Sequence, residues 1–257
     1  MELFIILLTV FIGSTLTFFS GFGLGTILLP VMCLFFSIDV AIAATAVVHF
    51  FNSFFKFILI FRHINIKLLL SFGGLAIPFS FLGAWVLSNA KTTDVFIHYS
   101  LPFYKMDVSL INFSLGWIMI VFAYIELFWK KKEIKISKIG LYLGGAMSGF
   151  FGGFSGHQGA LRAMILSKTN ISKEEFVATS STIGLLIDLT RIGVYSFSFS
   201  FTENKPFQIT LLLSIIIAFI GSYLGSKLLK KTTFKFVQFI VSILLFTFGV
   251  LLVLGFI

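Results

Sequence analysis

An all-α polytopic membrane protein is the fold class this chain predicts, and three observations predict it. Hydrophobic residues make up 58% of the 257 residues and charged residues only 11%, where a soluble domain carries about a quarter. Apolar runs recur along the whole length, separated by short polar loops. Six of them, 39–61, 67–88, 108–129, 174–198, 207–229 and 234–257, are 22–25 residues long, against the ~20 needed to cross a hydrocarbon core.

The formal charge of +9 does not indicate nucleic acid. Lys and Arg sit mainly at the ends of apolar runs, as topology anchors do, and no soluble basic face with interleaved aromatics is present. The single Cys33 excludes an intramolecular disulfide and a cysteine-based metal cluster. Met1-Glu2-Leu3 lacks the positive start of a cleavable signal, so the first apolar segment is expected to be retained.

Two further runs, 3–36 and 139–167, are longer and each is broken by a Gly-rich stretch. The stretches are Ser20-Gly21-Phe22-Gly23-Leu24-Gly25 and Gly152-Gly153-Phe154-Ser155-Gly156-His157-Gln158-Gly159. Gly25 and Thr45 are spaced like Gly159 and Thr179, and Leu82-Gly83-Ala84 corresponds to Leu224-Gly225-Ser226, after an insertion near Ser196–Pro206. The order broken–full–full–full therefore occurs twice, which predicts a duplication with repeats at 1–129 and 130–257.

Charge then chooses a topology. If each broken run crosses once, the loop Lys and Arg split 8 against 8. If each is a re-entrant hairpin, the split is 13 against 3, with only Lys91, Lys105 and Lys205 outside. The positive-inside rule favours the hairpins. Each half then has three crossings, so the halves are inverted, with the Gly-rich tips near the midplane.

The Gly-rich Ser20–Pro30 followed by Ala44-Thr45, the basic loop Phe61-Arg62-His63, and Ser148–Gly159 followed by Ala178-Thr179-Ser180 give the chain its likeness to known proteins. In their order and duplication they resemble the sulfite exporter TauE/SafE family over nearly the whole chain. The resemblance implies a multi-pass protein of the bacterial inner (plasma) membrane. It also implies transport of small sulfur-containing or organic anions such as sulfite, thiosulfate or sulfonates. The Gly-Gly-Gly run usual in that family reads Gly23-Leu24-Gly25-Thr26 and Gly156-His157-Gln158-Gly159 here, which bears on the substrate more than on the family.

A helix that starts in mid-membrane offers free N–H groups and the positive end of its dipole to an anion. Gly23, Gly25 and Thr26 are accordingly expected to face Ser155, His157, Gln158 and Gly159 across a pseudo-twofold axis. The other reading of these glycines is helix packing, the role expected of Gly140, Gly144, Gly145 and Gly149. Thr45, His49, Asn52 and Lys56 form one helical stripe. It lines the site or serves packing, and Lys56 is near enough to the cytoplasm to snorkel. Thr179, the counterpart of Thr45, is expected in the same site. Ser181, Asp188, Arg191 and Tyr195 share a face of the sixth run. Asp188 and Arg191 form either a structural ion pair or a proton site beside an anion-attracting base. Arg162 reaches the cavity or the cytoplasmic surface.

The function expected is secondary transport of a small anion by alternating access, with protons as a candidate coupling ion and the lipid bilayer as the other partner. A passive anion channel is the alternative of the same fold. No Walker motif is present, and neither cofactor nor metal is expected. Gly153-Phe154-Ser155-Gly156 fits a serine nucleophile pattern, with His49 and Asn52 as helpers. No His follows His157, however, and His157 is only two residues from Ser155, a spacing read as poor for a base. Catalysis is therefore not expected. Direction, stoichiometry and oligomeric state have no signature in the chain.

Overall fold

The computed structural model describes residues 1–20, 23–90, 95–101, 104–128, 136–198, 205–228 and 234–257. Gly21 and Phe22 of the first break, Lys91, most of the basic run from Lys130, residues 199–204 of the insertion, and Lys230 and Lys231 lie outside them.

Ten helices account for nearly all of the described structure. They are α1 (Glu2–Ser20), α2 (Gly25–Met32), α3 (Ile38–Ile60), α4 (Ile66–Asn89), α5 (Leu110–Phe128), α6 (Lys138–Ser155), α7 (Gly159–Leu166), α8 (Lys173–Ser198), α9 (Lys205–Leu228) and α10 (Phe234–Val253). Five of them are long and apolar enough to cross a membrane. One element was not expected: an antiparallel hairpin of β1 (Val95–Leu101) and β2 (Tyr104–Ser109) occupies the polar loop before α5. Its strands are seven and six residues long, and its exposed His98 Nδ1 lies 2.7 Å from Asp107 Oδ1.

Outward faces carry Phe81, Trp85, Trp117, Tyr124, Leu143, Leu212 and Phe246, whereas Thr45, His49, Asn52, Arg162, Asp188 and Arg191 are buried. Apolar outside and polar inside is the distribution a lipid solvent requires.

Both broken runs fold back on themselves. A Cβ on Gly13, in the middle of α1, would lie 2.7 Å from the Leu24 side chain and 3.7 Å from Ile27. A straight continuation would carry those residues about 16 Å or more away. Likewise Gly144 of α6 lies against Ile165 of α7, and Ser148 Oγ donates to the Gln158 carbonyl at 3.0 Å. With eight residues each, α2 and α7 are only about 12 Å long.

Two contacts decide between the topologies. The Asn65 backbone N–H, in the α3–α4 turn, donates to Thr179 Oγ1 at 2.9 Å, and Asn65 Nδ2 donates to Glu175 at 3.3 Å. The Tyr99 hydroxyl donates to the Leu254 carbonyl, and Asn112 Nδ2 to that of Ile257 at 3.3 Å. Single crossings would put each of these pairs at opposite ends of the bundle. Hairpins put each pair at one end, as seen.

The principal helix contacts are unchanged when the first five helices are exchanged for the last five. α1 packs on α9 as α6 packs on α4, α3 on α9 as α8 on α4, and α3 meets α8 while α5 meets α10. At the α4–α6 seam, Cβ atoms on Gly145, Gly149 and Gly153 would overlap the carbonyls of Phe72, Ala76 and Ser80. Small residues let the two backbones approach closely where lipid supplies no hydrophobic drive. Gly144, Gly145 and Gly149 thus have the packing role expected of them, while Gly140 faces only Ile136 and Ser137 of its own first turn.

Candidate functional site

The site is where the two breaks meet. Helix α1 ends at Ser20 and α2 opens at Gly25. The second break is shorter than its Gly-rich stretch suggests, because α6 continues through Gly152 and Gly153 to Ser155. Gly156, with φ +80°, makes the turn, and α7 opens at Gly159. A Cβ on Gly25 would lie 3.5 Å from the Gly156 carbonyl and 3.5 Å from Thr45 Cγ2. The two short helices therefore begin side by side, with their positive dipole ends close together.

His49, the central residue of α3, sits under this junction: a Cβ on Gly23 would lie 2.6 Å from its Nε2. Its Nδ1 is bonded to Asp188 Oδ2 on α8. The other carboxylate oxygen accepts from Gln158 Nε2 at 3.0 Å and Arg191 Nε at 2.9 Å. Arg162 Nη1 donates to Gln158 Oε1 at 2.8 Å, and its Nε to Ser180 Oγ at 2.8 Å. The Tyr195 hydroxyl donates to the Gly153 carbonyl. One network thus ties α3, α8 and the second break together. At its centre, Asp188 engages His49, Gln158 and Arg191, the pairing that a buried carboxyl group requires.

Donors are left over. Among the described residues, Arg191 Nη1, Asn52 Nδ2, Thr45 Oγ1 and His157 Nε2 are buried and without a hydrogen-bond partner, while Arg191 Nη2 is ion-paired with Asp188 Oδ1 at 2.9 Å. Arg191 Nη1 lies where a Gly156 Cβ would be 2.6 Å from it. The charges are unbalanced too: the network holds two buried bases, Arg162 and Arg191, and one carboxyl group, Asp188. Burying such groups unpaired is costly, and a small anion supplies both the acceptors and the missing charge.

Not every expected residue joins this junction. Thr179 is taken up by Asn65 and fixes the α3–α4 turn, and the Thr26 hydroxyl donates to the Gly23 carbonyl at 2.7 Å, closing the first turn of α2. Asn52 accepts from Ser222. Lys56 does not snorkel: it is 4% exposed, and its ammonium donates to Thr17 Oγ1 at 3.2 Å over the Phe18 ring. Nor does Arg162 reach the surface, being 2% exposed.

A second correction concerns Ser155. His157 Nδ1 lies 3.0 Å from Ser155 Oγ, so a spacing of two brings serine and histidine together after all. Both are buried, and no third group orients the imidazole through Nε2, as a nucleophile's base requires. His157 stacks instead on Phe122, centroids 6.1 Å apart and planes at 9°.

A family model described as "Sulfite exporter TauE/SafE" matches residues 5–252. The chain belongs to the sulfite exporter TauE/SafE family. That is a family of membrane transporters, not of enzymes, and it makes this chain a membrane transport protein. No curated protein matches the chain.

Within this TauE/SafE chain, sequence reasoning missed Ser180, Ser148, Ser222, Phe122 and Glu126. Ser180 was within reach: on α8 the interior stripe is Ser180, Gly184, Asp188, Arg191 and Tyr195 at steps of four, four, three and four, with Ser181 beside Asp188 at its other edge and Thr179 about 100° away from Ser180. A Cβ on Gly184 would lie 3.1 Å from Arg162 Nη1, on the same stripe.

Proposed function

We propose that this chain is a secondary transporter of a small anion, bound between the two breaks and released to either side by alternating access. The observation that supports it best is the buried, unpartnered Nη1 of Arg191 beside the paired starts of α2 and α7. A guanidinium fixed through one edge by Asp188, with its Nη1 amino group left over, suits an oxyanion that accepts a charge-assisted hydrogen bond. Sulfite, thiosulfate and sulfonates fit that requirement, and the family's description points to the first of them, moving outward.

On this reading residues 1–129 and 130–257 are inverted repeats in a bacterial plasma membrane, with the Arg62 and Thr169 loops in the cytoplasm. Gly23, Gly25, Thr45, His49, Asn52, Ser155, His157, Gln158, Gly159 and Arg162 surround the anion. Asp188 serves as the counter-ion that holds Arg191 and His49 in place. Arg162, Gln158, Asp188 and Arg191 are all nearly inaccessible to solvent, which corresponds to an occluded state, and rocking one half against the other opens it.

The test is flux of radiolabelled sulfite and thiosulfate in proteoliposomes, competed with sulfonates and carboxylates. Saturable flux competed by other sulfur oxyanions is expected. No flux, or flux that no sulfur oxyanion competes, would overturn the reading.

A further inference from the structure

Glu126 is a buried acid that the junction network does not use. It is 6% exposed on α5, and neither carboxylate oxygen has a hydrogen-bond partner. Asp188, by contrast, accepts from three side chains. An ionised carboxylate left alone inside a membrane protein is strongly disfavoured, whereas the neutral acid is tolerated.

Among the described residues no charged group pairs with Glu126. α5 runs against α10, and Cβ atoms on Gly116 and Gly249 would lie 2.6 and 2.7 Å from each other's carbonyl oxygens. Between residues 239 and 253, α10 has no titratable side chain. Lys235 at its start, and Lys130, Lys131 and Lys132 after α5, have side chains outside the described set. The β-hairpin groups His98, Tyr99 and Asp107 pack at the opposite end of α5. From α6, Phe151 meets the Phe122 ring, and behind it stands His157 of the second break.

Phe122 is one turn before Glu126 on the same buried face. It therefore stands between Glu126 and His157 of the second break. Resting on the transporter reading above, we infer that Glu126 is a proton-binding site coupled to anion movement. The occluded state holds it as the neutral acid. When the anion leaves and His157 and Phe122 shift, α5 moves, Glu126 meets water and gives up one proton as its carboxylate forms. Anion and proton then travel in one cycle.

Proteoliposomes containing wild type or Glu126→Gln, with a pH-sensitive dye inside, test this. Glutamine keeps the shape of the neutral acid. The variant is expected to keep radiolabelled sulfite counterflow and to lose about tenfold or more of pH-gradient-driven accumulation. Unaltered pH-driven accumulation in the variant overturns the proposal. Wild-type anion flux with no linked pH change overturns this proposal alone, whereas no flux of any oxyanion overturns the anion reading and this proposal with it. A second measurement needs no variant. An apolar cleft of about 300 Å³ between α5 and α10 is lined by Ala123 and Leu127, the neighbours of Glu126 on one side of it. A hydrophobic carbodiimide, which reacts with neutral buried carboxyls, should modify Glu126 in the wild type, with the rate falling as pH rises. Failure to modify it at any pH overturns the proposal.

Discussion

The Cβ that Gly156 lacks would lie 2.6 Å from Nη1 of Arg191. The turn at the second break and the guanidinium that faces it therefore occupy one space, and neither can change without the other. Gly156→Ala must strain a positive φ, at about 1–3 kcal/mol, and must also push Arg191 aside. The expected result is a lower melting temperature with anion transport lost. Gly74→Ala, where nothing lies within 4 Å of the added Cβ, is the control and should leave transport unchanged. Equal behaviour of the two variants would show that the Gly156 contact is immaterial.

Removing the guanidinium itself tests its part in binding. Arg191→Gln should weaken anion binding by about 1.5–3 kcal/mol, roughly 10- to 150-fold, the range for a hydrogen bond to a charged group. Arg191→Lys should recover little, because an ammonium does not reproduce the two parallel N–H groups. Half-saturation constants from labelled-anion uptake measure both, and wild-type constants in Arg191→Gln would refute the assignment.

Asp188 holds His49, Gln158 and Arg191 at once. Asp188→Ala leaves Arg191 buried without its counter-ion and should destabilise by about 3–5 kcal/mol. Adding Arg191→Leu should restore much of the stability and none of the transport. Thermal unfolding in detergent, followed beside flux, distinguishes this from a general packing loss, in which the double variant would be worse than the single.

The hairpin topology has its own test. A reporter at Thr169–Ser172 and one in the Arg62 turn should read the same compartment, since Asn65 is bonded to Thr179 and Glu175. Opposite compartments for the two reporters would contradict it.

Much of this architecture is legible in the residues, for physical reasons. Lipid demands long apolar runs, and Lys and Arg prefer one side, so span positions and the hairpin topology follow from counting. The meeting of Gly25 with Gly156 follows once the halves are inverted. Less legible is which hydroxyl does what. Thr45 and Thr179 occupy matching positions, yet Asn65 engages only Thr179, because the α3–α4 turn reaches α8. Lys56 looks like a snorkelling lysine at the end of a span, and only the tertiary placement of Thr17 and Phe18 keeps it inside. Glu126 carries no pattern at all. It is a single acid in an apolar run, and its isolation is a property of the packing of α5 against α10.

The location of the anion can be measured directly. Selenite has the shape and charge of sulfite and scatters anomalously, so crystals soaked or grown with it should show one selenium peak bounded by Gly25, Gly156, His157 and Arg191, absent in Arg191→Gln. A peak elsewhere in the bundle, or none in a wild-type protein that demonstrably transports selenite, would contradict an anion site between the two breaks.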